Sequence, residues 1–107
     1  MSPFLFLIVY YIYILYSSKS DKYYVGYTSD VQRRLKEHND LSRINKYTKK
    51  HIPWAIRVFF EISENRGDAL AVERFIKKQK SRIFLEKLIS EKDNREYLNS
   101  LISKILK

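Results

Sequence analysis

The sequence predicts a small α/β layered domain, in which a three-stranded antiparallel sheet is flanked by helices. Two observations support this fold class. The chain has 107 residues, of which 45% are hydrophobic, so it has the length and the apolar content of one folded domain. Its apolar segments follow the order strand, strand, helix, strand, helix, helix, helix. This order is typical of a sheet layer covered by helices.

The first two strands are predicted from apolar runs on either side of a polar turn. Residues 9–16 are β-branched or aromatic almost throughout, which indicates a central strand buried on both faces. Residues 17–22 are polar and predict a turn, and residues 23–27 predict the second strand of an antiparallel hairpin. The uncharged segment 3–16 is shorter than the roughly 20 apolar residues of a membrane span. We therefore expect an apolar lead-in to a buried strand, and no membrane role.

The next segments predict a helix, a loop and the third strand. Ser29 and Gln32 have the spacing of a capping box, which predicts a helix from about Asp30 to His38. Residues 41–52 are mostly polar and basic without a clear period, and they predict a loop. Pro53 and Trp54 open a strand predicted at residues 55–62.

The second half of the chain predicts three helices. A turn at residues 65–68 precedes a helix expected from about 67 to 80, in which apolar residues recur at helical spacing. Two further amphipathic stretches are separated by a break at residues 93 and 94. We expect a domain at residues 1–92 and a helical C-terminal extension at residues 93–107.

Charge and cysteine content limit the classes of function. The chain has no cysteine, which excludes disulfides and thiolate metal sites and is compatible with a cytoplasmic protein. Its formal net charge is +9. This surplus favours a polyanionic partner, with nucleic acid first and an anionic membrane surface second. A basic protein without a special partner remains an alternative.

Two tyrosine triplets resemble the signature of the GIY-YIG nuclease family. The second triplet is Tyr24-Val25-Gly26, and the first is Tyr11-Ile12-Tyr13, which has tyrosine in place of the usual glycine. Ten residues separate Tyr13 from Tyr24, as in the family. The resemblance covers about residues 9–90 and is closest to the small stand-alone bacterial members. It is also similar to the N-terminal nuclease domain of the bacterial excinuclease.

Further residues extend this resemblance beyond the triplets. Arg34 and His38 match the family's catalytic helix, and Glu73 stands on the helix where the family keeps its metal-binding glutamate. The basic blocks at residues 47–50 and 78–82 also resemble the small bacterial members. In two places the chain departs from the pattern. Tyr27 stands where many members have a lysine, and we find no counterpart of the late asparagine of some members.

The resemblance implies the GIY-YIG fold and a metal-dependent endonuclease that hydrolyses a DNA phosphodiester. It implies weak sequence specificity, with structure-selective action in DNA repair or recombination. Catalytic roles fall to Tyr13, Tyr24, Arg34 and His38, and Glu73 would hold one Mg²⁺ or Mn²⁺ ion. Because of the two departures, a catalytically inactive DNA-binding module with the same fold remains the alternative. The oligomeric state is left open.

The residue types suit this chemistry. A tyrosine can hold or deprotonate water if nearby cations lower its pKa, an arginine can stabilise charge on the phosphate, and a carboxylate binds hard cations. Arg34 and His38 are four residues apart, so we expect both at the border between core and solvent.

Some residues keep an ordinary structural interpretation beside the functional one. Glu73 has the spacing of a simple ion pair with Lys77. Arg33 belongs to a basic run and is a candidate DNA-binding residue. Tyr47, Lys49 and Lys50 form either a plain loop or an aromatic and basic patch that contacts DNA.

Overall fold

The computed structural model describes residues 7–42 and 46–107, so most of the predicted apolar lead-in lies outside the described residues. Within them the chain forms the elements β1 (Tyr10–Ser17), β2 (Lys22–Thr28), α1 (Val31–His38), α2 (Lys46–Lys50), β3 (Trp54–Ser63), α3 (Arg66–Lys78), α4 (Arg82–Ser90) and α5 (Arg95–Ile105).

The three strands form one antiparallel sheet in the order β2-β1-β3. This confirms the predicted sheet and the central position of the first strand. In β1, Ile12 and Ile14 contribute to one apolar cluster while Tyr13 and Leu15 contribute to another. Successive side chains of a strand point to opposite faces, so β1 is buried on both sides.

Each face of the sheet has its own core. On one face, α3, α4 and α5 supply Val72, Ile76, Leu88, Leu98 and Ile102 to the larger cluster. On the other face, α1 supplies Val31 to a smaller cluster, where it packs with Trp54. The last helix, α5, therefore packs into the same core as the sheet. None of the helices within the described residues is long and apolar enough to cross a membrane.

The predicted start of α1 was wrong by one residue. Asp30, not Ser29, is the N-cap: its side chain accepts a hydrogen bond of 3.0 Å from the backbone N–H of Arg33. The reason is that β2 continues to Thr28, whose hydroxyl accepts from the N–H of Asp30 at 3.0 Å. Ser29 then makes the bend between strand and helix, and the capping role passes to the next residue.

The loop predicted at residues 41–52 was also partly wrong. The short helix α2 lies within it, whereas residues 43–45 lie outside the described part of the chain. A tertiary contact holds this turn, because Trp54 Nε1 donates to the carbonyl oxygen of Thr48 at 2.8 Å. Thr48 itself is buried. A helix of five residues gives no periodic signal, so sequence periodicity did not reveal it.

Candidate active site

A cleft of about 330 Å³ lies between β2, α1 and α3, and it contains most of the predicted site residues. β1 and β2 contribute Tyr13 and Tyr24, α1 contributes Arg33 and Arg34, and α3 contributes Glu73. Elements that are distant in sequence therefore direct polar side chains into one space. The other lining residues are Gly26, Tyr27, Thr28 and Glu37.

The two tyrosines lie on adjacent strands, as predicted, with their rings stacked at 6.3 Å between centroids. Gly26 lies directly opposite Tyr13 in the pairing of β1 with β2. A Cβ atom at residue 26 would lie 2.6 Å from Cζ of the Tyr13 ring. The glycine of the second triplet is therefore needed for space, because the Tyr13 ring lies directly over it.

Arg34 connects α1 to the tyrosine pair. Its guanidinium is within hydrogen-bonding reach of the Tyr13 hydroxyl, and its Nη1 donates to Glu37 Oε1 at 2.8 Å. The Arg34 side chain keeps 36% of its exposure, so the guanidinium remains accessible from the cleft. This agrees with the expected border position of Arg34.

The expected border position was wrong for His38. Its side chain is only 4% exposed, and its Nε2 is 3.0 Å from the Tyr13 hydroxyl. The end of α1 is held against β3, since Asn39 both donates to the carbonyl of Trp54 and accepts from its N–H. This anchor draws the last turn of α1 into the core. His38 therefore reaches the site from behind Tyr13.

Burial controls the tyrosine hydroxyls more strongly than the nearby arginine does. Desolvation raises the pKa of Tyr13 above its ordinary value, although Arg34 acts in the opposite direction. The pKa of Tyr24 is raised for the same reason. The cation therefore does not produce the lowered pKa that a tyrosinate base would require. Both residues are neutral phenols at neutral pH in this structure.

Glu73 is the carboxylate that α3 directs into the cleft. Its side chain is only 14% exposed, and Oε2 lies 3.7 Å from Lys77 Nζ. The ordinary interpretation as an ion pair and the cleft position are therefore both present. Within residues 7–42 and 46–107, no three His, Asp or Glu residues are grouped as a complete metal site. One carboxylate nevertheless fits Mg²⁺, which is usually held by one or two carboxylates together with water and substrate phosphate.

The remaining predicted residues lie around the cleft at different distances. Arg33 lines the cleft, and Tyr47 lies beside Tyr24 at 6.3 Å between ring centroids. Lys49 and Lys50 are exposed on α2. Tyr27, which stands where many family members have lysine, also lines the cleft.

Glu37 is a site residue that sequence reasoning did not single out. It lines the cleft and pairs with Arg34 three residues earlier on α1. The spacing of the two residues was the available signal, since side chains at i and i+3 are neighbours on a helix.

Comparisons with known proteins agree with this geometry. Residues 9–88 match the family model described as the GIY-YIG catalytic domain. A UPF0213 protein of Clostridium perfringens is 34% identical over 93 residues, covering 83% of this chain and 97% of the relative. The UPF0213 protein YazA of Bacillus subtilis is 32% identical over 78 residues, covering 70% and 77%.

An archaeal relative, a UPF0213 protein of Haloquadratum walsbyi, is 42% identical over 67 residues, covering 63% of this chain and 72% of the relative. No solved structure matches the chain. The family match spans all three strands, α1 and α3, which are the elements that build the cleft. The chain therefore belongs to the GIY-YIG family of nuclease-type domains.

Proposed function

We propose that this protein is a metal-dependent endonuclease that hydrolyses a phosphodiester of DNA with weak sequence specificity. The observation that carries the proposal is the cleft in which Tyr13, Tyr24, Arg34 and Glu73 converge. It combines hydroxyl groups, a guanidinium and a carboxylate in one space. These are the groups needed to position water, to stabilise a phosphate and to bind a cation.

Tyr13 and His38 provide the route for the proton of the attacking water. The Tyr13 hydroxyl is hydrogen-bonded to His38 Nε2 at 3.0 Å. As water attacks phosphorus, the Tyr13 oxygen accepts the water proton while the phenol proton passes to His38. This relay avoids a free tyrosinate, which the raised pKa of Tyr13 disfavours. The phosphorus bond to the leaving oxygen then breaks, and solvent protonates that oxygen.

Arg34 stabilises the negative charge that develops on the phosphate. A guanidinium carries five N–H donors in a rigid plane. The bond to Glu37 uses Nη1, so the same side chain can hold Glu37 and also bind a phosphate oxygen. Glu37 thereby fixes the orientation of Arg34 before the substrate binds.

Glu73 is the residue that would hold a divalent cation, with Mg²⁺ and Mn²⁺ as the candidates. Such an ion, when bound, neutralises negative charge on the phosphate and on the leaving oxygen. Lys77 holds the Glu73 side chain at 3.7 Å and keeps it ionised at the mouth of the cleft. We extend the proposal to structure-selective cleavage in repair or recombination.

A cleavage assay with two variants tests the proposed function. Duplex, single-stranded, flapped and branched DNA are incubated with Mg²⁺, Mn²⁺ or a chelator. Glu73→Gln removes the charged ligand but keeps the shape, and Arg34→Ala removes the charge clamp. We expect each variant to lose cleavage by about 100-fold or more, while DNA affinity is retained because other cations hold the backbone. Exposed Glu64→Gln is the matched control and should cleave normally.

Two results would contradict the proposal. Cleavage by Glu73→Gln at the rate of the parent protein would place the metal elsewhere. Binding without cleavage by the parent protein, on every substrate and with both metals, would favour the DNA-binding module that has lost the chemistry. The presence of Tyr27 in place of the lysine of many family members is the observation behind that alternative.

A further inference from the structure

A second depression adjoins the cleft, because Tyr24 lines both. We call it the basic groove and define it by three lysines and three tyrosines, Lys22, Lys77, Lys80, Tyr23, Tyr24 and Tyr47. Its volume is about 550 Å³, within the range of roughly 300–1,000 Å³ typical of sites for drug-sized molecules. One nucleotide is of this size.

Two of the groove's cations are available for an anion. Arg82 also lines the groove, but Asp21 and Glu86 hold it in ion pairs, and Lys77 pairs with Glu73. Within the described part of the chain, neither Lys22 nor Lys80 has a carboxylate at ion-pair distance. These two lysines therefore carry the unneutralised positive charge of the groove.

The aromatic side of the groove offers a surface for a base. Tyr47 is 48% exposed, and its ring lies 6.3 Å from that of Tyr24. The apolar floor includes buried Val25 and Ile76. Aromatic rings beside cations are the usual combination in sites where a nucleic-acid base stacks and its phosphates are held. A membrane surface or an acidic peptide would give no use for the stacked rings.

The backbone of Lys80 gives an independent reason to consider its side chain functional. Lys80 has φ 48°, in the left-handed region where glycine is strongly favoured after a helix. A lysine there is strained, and strained non-glycine residues tend to occur at functional positions. The lysine side chain at this position lines the basic groove.

We infer that the basic groove binds one nucleotide that has left the helical stack, directly beside the phosphate to be cleaved. Lys22 and Lys80 hold its flanking phosphates, and Tyr47 stacks on its base. The inference rests on the proposed endonuclease function only for the position of the scissile bond, which the shared Tyr24 provides. Binding of the nucleotide is measurable without cleavage.

The test compares two DNA duplexes of the same sequence in the presence of a chelator. One contains a single bulged 2-aminopurine nucleotide, and the other is fully paired. We expect the bulged duplex to bind more tightly and its 2-aminopurine fluorescence to be quenched. Tyr47→Ala should remove that advantage, a loss of about 5- to 150-fold in affinity for the bulged duplex. Tyr47→Phe, which keeps the ring, should retain it.

The lysines are tested by the salt dependence of binding. The double variant Lys22→Gln, Lys80→Gln should reduce the slope of log affinity against log salt by about 0.7–0.9 for each phosphate that is no longer neutralised. The double variant Lys92→Gln, Lys104→Gln removes the same charge outside the groove and is the matched control. Thermal unfolding of each variant confirms that it is folded.

Equal affinity for the bulged and paired duplexes would overturn the inference, and so would a control variant that lowers the slope as much as the groove variant. These results are distinguishable from failure of the proposed function. A bulge preference in a protein that never cleaves would keep the groove and remove the nuclease. Cleavage that depends on Glu73 without a bulge preference would do the reverse.

Discussion

Tyr13 is the residue on which the other parts of the site depend. Its ring lies over Gly26, its hydroxyl contacts His38, and Arg34 approaches the same hydroxyl. The side chain is fully buried. Its position is therefore determined from both strands and from α1, and a change in any of these neighbours should move the reactive oxygen.

The close approach of Gly26 to the Tyr13 ring gives a stability prediction. Gly26→Ala places a methyl group within 2.6 Å of the ring, so the ring or the strand must shift. We expect a loss of about 1–3 kcal/mol in the free energy of unfolding, as for other overpacked cores, together with loss of cleavage. The control Gly67→Ala puts its Cβ 3.1 Å from Asn65 Oδ1 at the exposed start of α3. Urea unfolding of both variants decides, and equal effects would show that the site glycine has no special role.

The raised pKa of Tyr13 predicts how stability depends on pH. Below pH about 10 this tyrosine is protonated in both the folded and the unfolded chain. Above it the unfolded chain loses the proton first, because burial raises the folded pKa. Stability should therefore fall as pH rises, by up to about 1.4 kcal/mol per pH unit from this residue. Tyr13→Phe should show a shallower decline in thermal unfolding between neutral and strongly alkaline pH. Identical slopes would contradict this.

The sequence located most of the residues of the candidate cleft but not their depth. Spacing placed Tyr13, Tyr24, Arg34 and Glu73 on the right elements, and the fold brings them together. The depth of His38 depends on the hydrogen bonds between Asn39 and Trp54, which are fifteen residues apart. Helical periodicity gives the direction of a side chain but contains no information about such a tertiary anchor.

At the scale of elements, the junction between α3 and α4 concentrates strain beside the site. Lys80 connects the two helices in the left-handed region, and Ser81 caps α4 by accepting from the N–H of Phe84 at 3.0 Å. The left-handed turn sets the direction in which α4 leaves. It also places Lys80 and Arg82 on the wall of the basic groove.

This strain predicts a stabilising substitution. Lys80→Gly removes the cost of a side chain in the left-handed region, about 1–2 kcal/mol, and adds up to about 1 kcal/mol of unfolded-state entropy. We expect a net gain of up to about 1 kcal/mol in stability, measured as a higher Tm, together with weaker DNA binding. Lys78→Gly lies in the last turn of α3 and should instead lower the Tm. A lower Tm for Lys80→Gly would show that its side chain stabilises the fold.

Long, periodic elements were predictable, and short elements held by tertiary contacts were not. β1 was predicted at residues 9–16 and α3 at about 67–80, each within two residues of the observed bounds. The five-residue helix α2 depends on Trp54 bonding to Thr48. The cap of α1 shifted to Asp30 because the length of β2 decided which residue makes the bend.

At the scale of the whole molecule, α5 completes the larger core. Leu98 is 4% exposed, whereas Leu106, just beyond the same helix, is 37% exposed. Leu98→Ala should cost about 2–5 kcal/mol of unfolding free energy because it leaves a cavity. Leu106→Ala, with the same chemical change, should cost about 1 kcal/mol or less. Equal costs in urea unfolding would mean that α5 is only loosely attached.

The sheet order also has a consequence for the newly made chain on the ribosome. β1 is made first but lies between two strands, and its pairing with β3 is complete only when Ser63 has been added. Until then the hairpin of β1 and β2 leaves one edge of the most apolar strand unpaired, and such edges pair with other chains. Nascent chains that pause within α2 should therefore be the most prone to aggregate and the most dependent on chaperones.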